Sequence, residues 1–517
     1  MPRSSRPRRL TAVALATAML MPLAACGDSG DGAPPAESAG TSTPANAYEQ
    51  QRNEGVQRLL DALSAAVLSG DRRDLDVLID PLATDAFRAG LHRLQDRLGA
   101  AARPAPSSAR PSSATPSATA PSTATTPSAA GTSATASRPA RSSAGSSTAP
   151  ARTRGVPLVL NHFGYRIRSS DDAEPRINGT LDVALSEAGS SDSWIAPVAL
   201  RYALGGAGRP GVDEPVIALP ETFALARYDD DWKLLGDGSL AADAGVQDGQ
   251  SAQPAEVGPW TYPGLLAASV RTDGGQSAVL SYPGTEAAVA RVEDALPKAV
   301  TVVSDFWGRD WPRRAVIEVT AGDDQFAGLT RTRSGQTSAA AAATVYSRID
   351  REDKQVIGQR VVLSPNALGL TDAGVGVVLR HELTHVATRL QTADDAPMWL
   401  TEGVAEYLGR RGTYREFTEV APDLATAVAG GSVPQALPDD EQFSVSTDQA
   451  RLAYQSAWSF AAYLAGAFGE NKLKQLYLAI APAPGDDAAD RAFTDVLGRD
   501  RAAVVRQWGD WLRKQVK

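Results

Sequence analysis

The stretch that most constrains this chain runs from Gly374 to Tyr407 and contains His381-Glu-Leu-Thr-His385 and Trp399-Leu-Thr-Glu402-Gly-Val-Ala-Glu406-Tyr407. In residues 374–388 the apolar positions Val375, Val378, Leu379, Leu383 and Val386 recur at helical spacing, which predicts a buried helix. His381 and His385 then leave the same face about one turn apart. That spacing lets both imidazoles reach one tetrahedral Zn2+ at about 2.0–2.1 Å. Glu382, one step round the helix, is placed to meet a water at the metal rather than the metal itself. A catalytic zinc needs a third protein ligand and an open position. Glu402, 17 residues after His385, begins a second helical stretch and is the natural candidate. Glu406, one turn further, can hydrogen-bond a ligand histidine and orient it. The plainer alternative is a pair of satisfied core histidines.

At these residues the chain resembles a family. HELTH followed by WLTEGVAEY is similar to the gluzincin metallopeptidases, in particular their aminopeptidase-like branch. The resemblance covers roughly residues 300–480, and its specific part is 381–407. It implies that His381, His385 and Glu402 hold one Zn2+ per chain and that Glu382 is the general base of peptide-bond hydrolysis. Ala453-Tyr454-Gln-Ser-Ala-Trp-Ser-Phe460 resembles the later helix whose tyrosine stabilises the transition state, which carries that role onto Tyr454. Upstream of the motif there is no Gly-x-Met-Glu-Asn, the element with which the aminopeptidases bind a free N-terminus.

The beginning of the chain reads as an address. Arg3, Arg6, Arg8 and Arg9 precede an apolar run from Leu10 to Ala25, shorter than the about 20 residues a membrane span needs. Leu23-Ala-Ala-Cys26 is similar to a bacterial lipobox, which implies cleavage before Cys26 and lipidation of its thiol. Cys26 is the only cysteine, so no intrachain disulfide can form. The expectation is a protein anchored by lipid on the extracytoplasmic face of a bacterial membrane. Without residues 1–25, which hold four arginines and no acid, 51 basic residues become 47 against 60 acidic ones, a net of −13. Such a balance argues against nucleic-acid binding and against electrostatic attachment to anionic lipid.

The fold class expected is α+β in two parts. Residues 26–47 form a polar tether, and Tyr48 to Leu98 read as helices, with His92 on a solvated face. Residues 101–155 are almost wholly Ala, Ser, Thr, Pro and Arg and cannot bury enough apolar surface to order, so they read as a spacer inserted in a domain of residues 48–240. From Val156 the pattern turns to strands, including TLDVALSEA (180–188), with His162 on the first of them. Weakly, this domain resembles the nuclear-transport-factor-like cone fold. A linker at 241–257 leads to a zincin-type domain at 258–517: a small mixed sheet, the active-site helix and an α-helical C-terminal lobe. RVVLSP (360–365) reads as a strand ahead of that helix, and the gluzincin resemblance implies that it is the edge along which an extended peptide adds. Three functions fit: a zinc peptidase acting on peptide or protein, a binding or assembly lipoprotein that keeps zinc for structure, or a zinc hydrolase of another bond. An intact Glu382 favours an enzyme over the second.

Overall fold

The computed structural model describes residues 47–98, 153–156, 158, 160–169, 174–205, 214–242, 255–332, 340–443 and 448–517. The leader 1–25, Cys26, nearly all of the tether, most of the 101–155 segment and most of the 241–257 linker lie outside these residues. Among the described residues no helix is long and apolar enough to cross a membrane.

The first half packs helices on an antiparallel sheet. Helix α1 (Ala47–Ser69) buries Val56, Leu59, Leu60, Leu63 and Val67, the stripe its spacing predicts. Helices α2 (Arg72–Asp76) and α3 (Asp85–Leu98) follow. His92 on α3 contacts Asp76 at 2.7 Å through Nε2. Strand β1 (Thr153–Val156) reaches back into the stretch read as a spacer. Strand β2 (Leu160–Ile167), helix α4 (Gly179–Glu187) and strands β3 (Asp192–Leu204), β4 (Ile217–Tyr228) and β5 (Asp231–Asp237) complete this half. The sheet order is β2-β3-β4-β5, each strand antiparallel to the next.

Helix α4 corrects the strand expected at 180–188. Asn178, which reads as a turn residue, is instead an N-cap whose side chain accepts from the Thr180 N–H at 3.0 Å. Leu181 and Leu185, one turn apart, face the core, while Val183 is 59% exposed.

The second half begins with β6 (Leu266–Thr272), β7 (Gly275–Ser281), α5 (Glu286–Trp307), β8 (Val316–Val319), α6 (Asp323–Thr330), β9 (Ala342–Val345), β10 (Arg348–Asp350), β11 (Gln355–Ile357) and β12 (Arg360–Leu363). A six-stranded sheet runs β1-β6-β7-β8-β12-β9, with β7, β8 and β12 parallel and the rest antiparallel. Strand β12 therefore lies inside the sheet, and β9 is the edge, which corrects the expected edge at 360–365. Helices α7 (Asp372–Thr388), α8 (Met398–Arg410), α9 (Phe417–Val420), α10 (Pro422–Ala429), α11 (Asp448–Phe468), α12 (Glu470–Ile480), α13 (Asp486–Leu497) and α14 (Arg501–Gln515) make the rest. Within this helical lobe α9 and α10 are divided at Ala421-Pro422, where a proline removes a backbone donor.

Alternation along the strands gives the mixed sheet two buried faces. Val279, Ile317 and Val361 stand side by side in register and face α5 and α7. Ala278, Leu280 and Val316 point the other way, into a core shared with α1, α3 and the four-stranded sheet. Trp260, expected at the start of a separate domain, fills this core with its ring edge-on to Tyr202 at 4.7 Å. All the described residues form one compact unit.

One charge cluster crosses this shared core. Arg360 on β12 makes a bidentate pair with Glu214 at 2.8 and 3.0 Å, and its Nε lies 3.6 Å from Glu318 of β8. Burial pushes the Glu318 carboxyl up to about 7 against the pull of Arg360, and Glu214 and Glu256 add to the push. Between its ordinary value of 4.5 and about 7 the folded chain holds a proton that the unfolded chain releases. Stability therefore falls as pH rises across that window. Glu318→Gln should match wild type below pH 4.5 and exceed it by up to about 3 kcal/mol above pH 7. Urea unfolding of both proteins at pH 4.5 and 8 measures this; equal stability at both would show that Glu318 ionises freely.

Candidate metal centre

Two helices build the site. Helix α7 is capped by Thr371, whose Oγ1 accepts from the Gly374 N–H at 3.2 Å. It is buried nearly all round, packed on α5, the sheet and α8. His381 and His385 leave the side facing α8, and Glu402 comes from the second turn of α8 to meet them. Gly403 lets α8 approach α11, because a Cβ there would stand 2.8 Å from the Ala457 carbonyl oxygen.

The three expected ligands are brought together, their candidate ligand atoms all within 4.8 Å of one another. Nε2 of His385 lies 3.1 Å from Nε2 of His381. Glu402 oxygens lie 3.4 Å from His381 Nε2 and 3.6 Å from His385 Nε2. A tetrahedral ion with ligands at about 2.0–2.1 Å separates neighbouring donors by roughly 3.3 Å, so the triangle fits a Zn2+. His381 is 1% exposed, His385 8% and Glu402 4%, so the donors are shielded from bulk water.

The electrostatics also suit a cation. Burial opposes charge on His381, yet Glu402 and Glu406 raise its imidazole to about 10, so the site draws positive charge to that point. Burial lowers His385 to about 4, leaving it a neutral donor at physiological pH. Burial works against the Glu402 carboxylate, but the two histidines hold it below its ordinary range. Glu402 Oε2 and Glu382 Oε1 are buried and make no hydrogen bond among the described residues. Two such orphaned carboxylate oxygens are what an ion and a water it holds would satisfy.

Around the triangle, Glu406 lies 3.4 Å from His381 Nδ1 and accepts from Arg410 Nε at 2.6 Å. Burial opposes its charge, but Arg410 and His381 draw its carboxyl down to about 2. It is placed as an anion that fixes the ligand imidazole. Glu382 is completely buried, and its Oε2 accepts from Thr344 Oγ1 at 2.7 Å. Burial raises its carboxyl to about 7, eased by His381 and Thr344 and reinforced by Glu402 and Glu406. A carboxyl poised near neutrality is suited to moving a proton. Tyr454 sits buried on α11, its ring edge-on to Phe443 at 5.1 Å, and α11 packs on α8. Thr344 and Arg410 went unread in the sequence. Arg410 stands four residues after Glu406, a helical ion-pair spacing that gives it away. Thr344 carries no local signal.

A helix bearing two histidines and a base, closed by a glutamate from the next helix, defines a zincin-type metal centre. Residues 365–514, from just before α7 through α14, match the family model of the peptidase MA superfamily. That match is consistent with the motif's resemblance to the gluzincin metallopeptidases. Among solved structures the chain is similar to a two-domain M1 zinc metallopeptidase mutant bound to L-arginine. Identity is 15%, the TM-score is 0.29, and 47% of this chain and 50% of that one are covered. An M1 zinc metallopeptidase from Deinococcus radiodurans is similar at 15% identity and TM-score 0.27, over 47% of this chain and 49% of that one. The chain thus spans about half the length of these solved structures. Among curated proteins none matches.

Proposed function

We propose that this chain is a zinc-dependent peptidase that hydrolyses peptide bonds. The observation that carries the reading is the buried His381–His385–Glu402 triangle with the orphaned Glu382 oxygen beside it. Zn2+ held by the three ligands supplies a Lewis acid for a carbonyl oxygen and lowers the pKa of water towards about 7. Glu382, steered by Thr344, accepts the proton of the attacking water and delivers it to the leaving amine. Glu406 keeps His381 oriented, with its own charge held by Arg410. Tyr454 donates to the developing oxyanion, a role that rests on the resemblance of its helix and on the packing of that helix against α8. Substrate lies extended along β9, whose only sheet partner among the described residues is β12.

The test uses purified residues 48–517. Equimolar zinc by elemental analysis and cleavage of a mixed peptide library, read by mass spectrometry, support the reading. Equimolar zinc without cleavage would transfer it to a binding lipoprotein or to a hydrolase of another bond.

The chain is further proposed to act at the extracytoplasmic face of a bacterial membrane, anchored by lipid on Cys26. Support comes from the arginine-led apolar leader ending in Leu23-Ala-Ala-Cys26 and from that cysteine being unique. In bacterial cells expressing the full chain, the protein should sediment with membranes, and Cys26→Ser should move most of it into the soluble fraction. An unchanged distribution would remove the lipid from the account.

A further inference from the structure

The structure carries a guanidinium at the end of the helix that bears the two histidines, and the mechanism does not use it. Arg389 follows α7 directly and stands seven residues after Glu382, two helical turns along the same face. Its neighbour on the sheet side is Tyr346, which follows the end of β9 and stands two residues after Thr344, on the same side of that strand. Helix and edge strand therefore meet at two matched points. Thr344 bonds Glu382, and the Arg389 guanidinium lies over the Tyr346 ring, 4.7 Å from its centroid.

Tyr346 is held from both ends. Its carbonyl accepts from Arg331, and its hydroxyl donates to Asp394 at 3.4 Å. A fixed ring makes a fixed platform for the guanidinium plane. Arg389 Nε is buried with no hydrogen-bond partner among the described residues. A cation at the end of a helix is in any case favourable, but that needs neither the stacked orientation nor the missing partner. Arg389 as a whole is half-buried, and its unpartnered Nε–H calls for an acceptor, for which a planar carboxylate fits the guanidinium fork.

We propose that Arg389 sets specificity by gripping a carboxylate of the substrate, from an acidic side chain or from the peptide's C-terminus. The inference rests on the peptidase reading and names the substrate class for that same site. Seven helical residues span about 10 Å, and an extended peptide advances roughly 3.3 Å per residue. The carboxylate should therefore lie about three residues from the bond that is cleaved.

The experiment digests a proteome-derived peptide library, in free-acid and C-terminally amidated forms, with zinc-loaded wild type, Arg389→Gln and Arg389→Lys. Zinc content is measured for each protein. Wild type should cut peptides with a carboxylate at that position about tenfold faster than neutral ones. Arg389→Gln should lose the preference while keeping its zinc and its rate on neutral peptides, and Arg389→Lys should keep part of it. A preference that vanishes on amidation assigns the terminus, and one that survives assigns the side chain. Wild type and Arg389→Gln sharing one profile would overturn the inference and leave the peptidase standing. Equimolar zinc with no cleavage by any of the three would overturn the peptidase reading and this inference with it.

Discussion

Glu382→Gln should reduce peptide hydrolysis by about a thousandfold or more, near the upper range for removing a general base, while the protein keeps equimolar zinc. Glutamine has the size and shape of the buried carboxyl, and its carbonyl oxygen can still accept from Thr344, whose bond to Oε2 is 2.7 Å. What it lacks is a site for the proton of the attacking water. Glu382 lies outside the His381–His385–Glu402 triangle, so metal affinity should hold. The loss should fall on kcat with KM little changed, the pattern of an interaction made only in the transition state. Initial rates on a peptide selected from the library, with zinc measured on the same samples, decide it. Retained turnover would move the base elsewhere, and lost zinc would make Glu382 a ligand.

The difference between what sequence and structure reveal at this site follows from how far apart the residues are in the chain. His381, Glu382, His385, Glu402 and Glu406 were legible because two helices with fixed periodicity carry them, and a periodicity of about 3.6 residues converts spacing directly into facing direction. The contact between Thr344 and Glu382 joins residues 38 apart through the order of strands in a sheet, which no local pattern encodes. Strand β9 is also nearly hidden, since its sequence Ala-Ala-Thr-Val closes an alanine run and alanine is a poor strand former. The edge role of β12 came from the family resemblance, whereas its apolar run reflects burial between two neighbouring strands. A similar inversion explains α4, where a sequence of mixed propensity was settled by the Asn178 cap. Trp260 reads as the start of a domain because a Gly- and Ala-rich stretch precedes it; its burial among Phe163 and Tyr202 is a long-range fact.

Glu402→Ala should abolish stoichiometric zinc binding and with it all hydrolysis. Glu402 is the only anion in the triangle, and burial leaves His385 neutral, so the carboxylate is the main charge offsetting a dication. Removing it also takes away one of three protein donors and opens a cavity that water must fill. Outer partners of ligand histidines cost about 10–100-fold in metal affinity, and a ligand itself should exceed that range. Glu406→Gln supplies the internal comparison, because Glu406 acts through His381 Nδ1 at 3.4 Å and should weaken zinc without eliminating it. Dialysis against buffered free zinc, with circular dichroism to confirm that each variant is folded, ranks the three proteins. Wild type should bind tightest, Glu406→Gln next and Glu402→Ala least. A folded Glu402→Ala protein holding zinc as tightly as wild type would mean that the third ligand is another residue. The matched separations of 3.4 and 3.6 Å would then reflect a histidine–carboxylate ion pair instead of a metal centre.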